Sequence, residues 1–148
     1  MDEKNIYKFQ KDIIFLLKKY GGNKSLHFLS QDNCSELSRL FAYWVIKKYP
    51  TSEAFILKGG GVFNNSEKFH DIVLINSKKF FLIDPSIWQF FKRKRSILVG
   101  QIENLDEALK LAKKNYGGKW QISEKINKGT LKEVEDLKKI IILNVKKG

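Results

Sequence analysis

A single cysteine, Cys34, rules out an internal disulfide, and the two histidines, His27 and His70, stand in no Cys/His spacing that a tetrahedral metal site requires. No structural metal and no cofactor are expected. There are two prolines and no Pro/Gly/Ser-rich tract, so composition offers no linker at which to divide the chain, and no repeat of useful period occurs. Long apolar runs are missing too: nothing approaches the roughly 20 residues of a membrane-spanning helix. The opening stretch MDEKNIYKFQKDIIFLLKKYGG is charged throughout, without the apolar region and small-residue cleavage site of a signal peptide. The expectation is a soluble chain, cytoplasmic at synthesis and not associated with membranes, with delivery to another cell by a signal-independent route left open. Acidic residues are scarce. Sixteen Asp+Glu against 28 Lys+Arg leave a net charge of +12, which favours an acidic partner. Most of the lysine is spread in pairs that suit the wet faces of helices. The one concentrated run, KRKR at Lys92 to Arg95, reads as a solvated loop, and any nucleic-acid binding is expected to be weak and non-specific.

At 148 residues, 43% of them hydrophobic, with 11 Phe, 5 Tyr and 3 Trp, the chain has material for one well-filled core and is expected to be a single domain over 1–148. Ile6, Phe9, Ile13, Ile14, Leu17 and Tyr20 recur at helical spacing and predict a helix from about Glu3 to Tyr20. Leu37, Leu40, Phe41, Trp44 and Val45 predict a second from about Cys34 to Tyr49, ended by Pro50. Both copies of YGG, at 20–22 and 116–118, read as helix C-caps. After Pro50 the period falls from about 3.6 to about 2. EAFILK (53–58), FHDIVLIN (69–76), KFFLID (79–84), SILVGQI (96–102) and WQISEKI (120–126) read as strands. GGGVFNNSE reads as a turn or bulge and not a phosphate loop, since no Lys-Ser/Thr pair or helix follows. Asn104 with Glu107, and Thr130 with Glu133, carry capping-box signatures for a helix to about Asn115 and for a short helix after Thr130. The apolar IIILNV (140–145) reads as a closing buried strand. The order predicts an α+β fold, with N-terminal helices packed on a mainly antiparallel sheet.

The segment SQDNCSEL places the lone cysteine at the start of a helix. Asn33 is a favoured N-cap and Glu36 follows three residues later, so Cys34 falls at the first helical position; capping by Asp32 instead would move it one residue inward. In either register the free N–H groups and dipole of the first turn favour a thiolate and can hold an oxyanion. A thiolate needs a base. His27, between Leu26 and Phe28, reads as a packing or solvent-facing residue of a connector. His70 opens a strand and shares a face with Ile72 and Leu74, while the next strand ends in Asp84. With a three-residue loop of Asn76, Ser77 and Lys78, paired residue numbers sum to 154 and His70 stands opposite Asp84. A two-residue loop would turn Asp84 to the other face. The bland alternative has His70 and Asp84 as strand-end caps, with Pro85 starting a turn.

The stretches DNCSELSRLFAYWV and FHDIVLINSKKFFLIDPSIWQFF, over roughly residues 31–91, resemble papain-like and transglutaminase-like thiol enzymes, most of all the small papain-fold domains of bacterial toxins and effectors. The resemblance implies a papain-like arrangement with Cys34 as nucleophile, His70 as general base and acid, and Asp84 as the orienting carboxylate. It also implies a glutamine ahead of the cysteine as oxyanion donor; Gln31 is the nearest, at a separation shorter than papain's. Gln89 matches the QF of the family's IDP(T/S)…QF segment and would support the Asp84 loop or touch substrate.

The expected chemistry is acyl transfer at an amide. Glutamine deamidation or a related modification of a protein with an acidic surface is preferred; proteolysis and transglutamination use the same triad. A cognate inhibitor or immunity protein is an expected partner of such a toxin. The rival from another class is a non-catalytic basic module for nucleic acid or an acidic protein, with Phe80, Phe81, Trp88, Phe90 and Phe91 near KRKR as stacking residues. A cell-wall amidopeptidase of the NlpC/P60 type also opens a helix with cysteine, but IDPSIWQF suits it less well.

Overall fold

The structure is a computed structural model that describes residues 1–147. Helix α1 (Glu3–Gly21) is capped by Asp2, whose carboxylate accepts from the Asn5 amide while the Asn5 side chain accepts from the Asp2 amide. It buries Ile6, Phe9, Ile13 and Leu17, the stripe that the spacing dictates. A one-turn helix, α2 (Leu26–Leu29), precedes α3 (Cys34–Lys48). Strands β1 (Glu53–Gly60), β2 (Phe69–Ser77), β3 (Lys79–Ile83) and β4 (Leu98–Ile102) follow, then α4 (Leu105–Tyr116), β5 (Lys119–Ile126) and α5 (Leu131–Lys146). The strands form one antiparallel sheet in the order β4-β3-β2-β1-β5. The α+β class expected from the pattern is the one observed.

Helices pack on both faces of the sheet. Ala54, Ile56, Val73, Ile75, Phe81 and Ile83 pack with the buried residues of α1, α3 and α5 on one face. Leu57, Ile72, Leu74 and Leu82 pack with Ala108, Ala112 and Tyr116 of α4 on the other. The central strand β2 is therefore apolar without alternation from Ile72 to Ile75, each at most 1% exposed. Burying side chains of this size stabilises the fold by about 1.5–3 kcal/mol apiece.

Three local expectations are corrected. The β2–β3 hairpin pairs Ser77 with Lys79 and Leu74 with Leu82, so paired numbers sum to 156; Lys78 alone turns the chain, at φ 62°. The shift from 154 is even, so every side chain keeps its face. The run IIILNV is not a strand but the last turns of α5: Val134, Leu137, Ile141 and Val145, at helical spacing, face the α1/α3 core. Thr130 does cap that helix, its hydroxyl accepting from the Glu133 amide. Asn33 precedes α3 without capping it through its side chain, because its amide is used elsewhere: it donates to the Leu29 carbonyl and accepts from Asn144 of α5.

Candidate functional site

The fold places the start of α3 beside the start of β2. Helix α3 ends at Lys48, and after a short turn β1 begins at Glu53, opposite Asn76 near the end of β2. The helix thus runs alongside β2 in the same direction, tied to it by the Ser38 hydroxyl, which donates to the Asp71 carbonyl at 3.0 Å. Arg39 adds a clamp, reaching Asp71 at 3.0 Å and Glu124 at 2.7 Å. Cys34, half-buried, is the first residue of α3, and His70 is the second of β2.

His70 is fully buried, and its Nε2 lies 2.8 Å from Asp84 Oδ2. With numbers summing to 156, Asp84 falls diagonally across from His70, and the common face suffices to bring them together. Nδ1 is buried without a hydrogen-bond partner, and Cys34 nearby favours the protonated ring. Burial pushes the imidazole pKa down, but the charge and hydrogen bond of Asp84, with a further contribution from Cys34, outweigh it and raise the pKa to about 10. Asp84 is itself fully buried and well satisfied. Its Oδ1 accepts from the Ser86 amide at 3.0 Å and the Ser86 hydroxyl at 3.3 Å, and its Oδ2 accepts from the Tyr116 hydroxyl at 2.6 Å. Burial, with the carboxylate beside it, holds the Tyr116 hydroxyl protonated far above the ordinary phenol range.

The ring of His70 sits in an aromatic box: Phe90 edge-on at 4.7 Å, Tyr116 at 5.2 Å and Trp120 at 6.4 Å between centroids. Gly59, paired with both His70 and Trp120, makes the box feasible, since a Cβ there would lie 2.5 Å from the indole. This is the structural use of the glycine run that the pattern reads only as a turn or bulge. Chemically, the arrangement offers a sulfur nucleophile on free helix N–H groups, a protonated imidazole to pair with it and to give a proton to a leaving group, and a fixed carboxylate to orient that ring.

The two glutamines are brought to each other. Gln31 Nε2 donates to the His27 carbonyl at 3.1 Å and the Gln89 carbonyl at 3.3 Å, tying the loop before Cys34 to the turn after Asp84. Its donor hydrogens are thereby used within the chain. The Gln89 Oε1 is buried without a partner. His27 Nδ1 lies 2.8 Å from the Trp88 carbonyl in the same junction, a packing role on α2. Three contributors escape sequence reasoning: Tyr116, Trp120 and Asn144. Asn144 donates to the Asp32 carbonyl at 3.3 Å and Asn33 Oδ1 at 2.9 Å, bracing the turn before Cys34, where Asp32 holds φ 61°. Only Tyr116 left a trace, as the aromatic residue before a helix-ending glycine pair.

Among the described residues no cluster of three metal-ligating side chains occurs, and no helix is long and apolar enough to cross a membrane. Comparison with protein-family models, curated proteins and solved structures yields no match to this chain.

Proposed function

We propose that the chain is a thiol-dependent acyltransferase of the papain-like or transglutaminase-like kind, acting on protein amides with Cys34, His70 and Asp84. The observation that carries the reading is His70: a buried imidazole with one nitrogen on a buried carboxylate, the other without a partner, and its protonated form favoured by the cysteine at the head of a 15-residue helix. Below its raised pKa His70 is already protonated, so sulfur bonds to the carbonyl carbon as the thiolate of a thiolate–imidazolium pair, and first-turn N–H groups receive the oxyanion. The C–N bond then breaks, the imidazolium protonates the departing amine, and a thioester remains. Water, deprotonated by His70, attacks the thioester and restores the thiolate.

Deamidation of glutamine, releasing ammonia, is the preferred outcome; a peptide amide gives proteolysis, and an amine acceptor in place of water gives transglutamination. A net charge of +12 supports a target with an acidic surface and, for a toxin or effector, an acidic inhibitor or immunity protein. The second reading, a basic binding module, draws on the exposed run Lys92 to Arg95.

Incubation with a whole-cell protein extract, followed by mass spectrometry, tests the assignment. Glutamate in place of glutamine identifies a deamidase, new termini a protease and new cross-links a transglutaminase. Cys34→Ala and His70→Ala should each abolish nearly all turnover, while Asp84→Asn leaves a residue of activity. Cys34→Ala behaving like the unaltered chain in every assay would remove the enzyme reading in favour of the binding module.

A further inference from the structure

Past the head of α3, the sheet carries a surface that no helix covers. On β1 the even-numbered residues, and on β2 the odd-numbered ones, face the α3 layer, as Ile56 and Val73 do in the core. Continuing toward the start of β2, the same face presents Lys58 and Gly60, then Phe69, with Lys119 and Gln121 on β5 beside them. The Ser38–Asp71 tie lies one helical turn inside α3, so Cys34 and Phe69 both stand beyond it at the same end. Phe69 is 58% exposed although it adjoins the fully buried His70. The Lys58 ammonium lies 5.7 Å from its ring, and these residues, with Trp120 at the edge, line a hollow of about 230 Å³. Gly60 keeps the hollow open: a Cβ there would come within 3.3 Å of the Phe69 ring. The carboxylates next to it, Asp71 and Glu124, are both taken by Arg39. Lys58 and Lys119 are the charged side chains that line it.

We infer that this shelf of Phe69, Lys58 and Lys119 selects the substrate segment beside the attacked amide, favouring a bulky apolar side chain followed by acidic ones. The inference rests on the acyl-transfer reading for the identity of the occupant. The exposed Phe69, next to His70 in β2 but on the face toward α3, supplies apolar contact, and the two lysines supply attraction that salt weakens. A second copy of the chain does not suit the shelf, because it carries the same +12 charge.

The test is binding to the Cys34→Ala chain, which cannot turn over, read by fluorescence anisotropy of labelled peptides. The probes are Glu-Asp-Phe-Gln-Gly, its reversed order, Lys-Lys-Phe-Gln-Gly and Glu-Asp-Gly-Gln-Gly, all end-blocked. One of the two acidic Phe peptides should bind about tenfold or more tighter than the lysine and glycine versions, with affinity falling as salt rises. Phe69→Ala, and separately Lys58→Glu with Lys119→Glu, should each remove about tenfold of that affinity, whereas Lys92→Glu with Arg93→Glu leaves it within about twofold. These substitutions lie at exposed positions, and circular dichroism verifies their folding. Equal binding of all four peptides, no binding at about 1 mM, or indifference to Phe69→Ala overturns the shelf. The stated pattern in a chain that alters no protein would keep the shelf and remove the enzyme. Turnover of the acidic Phe peptides by the unaltered chain, with the same KM in Phe69→Ala, would do the reverse.

Discussion

The Tyr116 hydroxyl and the His70 ring share one acceptor, Asp84 Oδ2, at 2.6 Å and 2.8 Å. The phenol disperses part of the carboxylate's charge, so it moderates how strongly Asp84 holds a proton on His70. Tyr116→Phe removes that donor from a buried carboxylate, at a cost of about 1.5–3 kcal/mol. Two outcomes are expected: a lower melting temperature, and an imidazole titration midpoint moved upward, read by NMR of labelled histidine. A midpoint that stays put while stability falls would give Tyr116 a packing role alone.

His70 also makes stability depend on pH in a definite direction. Its pKa is raised in the folded chain, to about 10, above the ordinary value of 6.5. The folded state therefore binds more protons between those values, and the stabilisation, complete below about 6.5, is lost as pH rises through the folded pKa. Urea unfolding at pH 6.5, 8 and 9.5 should show stability falling by an amount on the order of 1–4 kcal/mol. In Asp84→Asn the dominant raising influence is gone while burial still lowers the pKa, so that alkaline decline should vanish.

Asn144 braces the turn before Cys34 from the far end of the sequence. Asn144→Ala leaves the buried Asn33 carbonyl oxygen without its donor, a loss of about 1–3 kcal/mol. Labelling of Cys34 by iodoacetamide, followed by mass spectrometry, should change in rate even though Asn144 touches neither Cys34 nor His70 by hydrogen bond. An unchanged rate at unchanged stability would show that the turn holds itself.

Gly59→Ala tests the aromatic box. The new methyl group meets the Trp120 indole, so destabilisation of about 1–3 kcal/mol is expected, and Trp120→Leu in the same chain should recover much of it. Additive losses in the double variant would mean that the glycine serves the backbone and not the indole.

Much of this molecule was set locally and was legible as such. The stripe Ile6, Phe9, Ile13, Leu17 could bury one face only as a helix, and the change of period after Pro50 marked the strands. Asn104 and Thr130 announced their helices because a cap is a contact between residues three apart. The face shared by His70 and Asp84 survived an error in hairpin register, since any even shift preserves the pleat.

Tertiary structure decided what depends on partners distant in sequence. The run IIILNV has the β-branched content of a strand, and became the end of α5 because Val134, Leu137, Ile141 and Val145 form one stripe once the helix continues from Leu131. Asn33 had cap chemistry, but Asn144, 111 residues away, took its oxygen. Tyr116 and Trp120 reached His70 only because α4 covers the face of the sheet opposite α3, and because β5 adds to the edge of β1. The sequence alone determined on which faces His70 and Asp84 lie, for helical and strand periods are properties of a few consecutive residues. Which side chains share a carboxylate, and which patch of sheet stays open past the head of α3, followed from packing between layers, which no local spacing encodes.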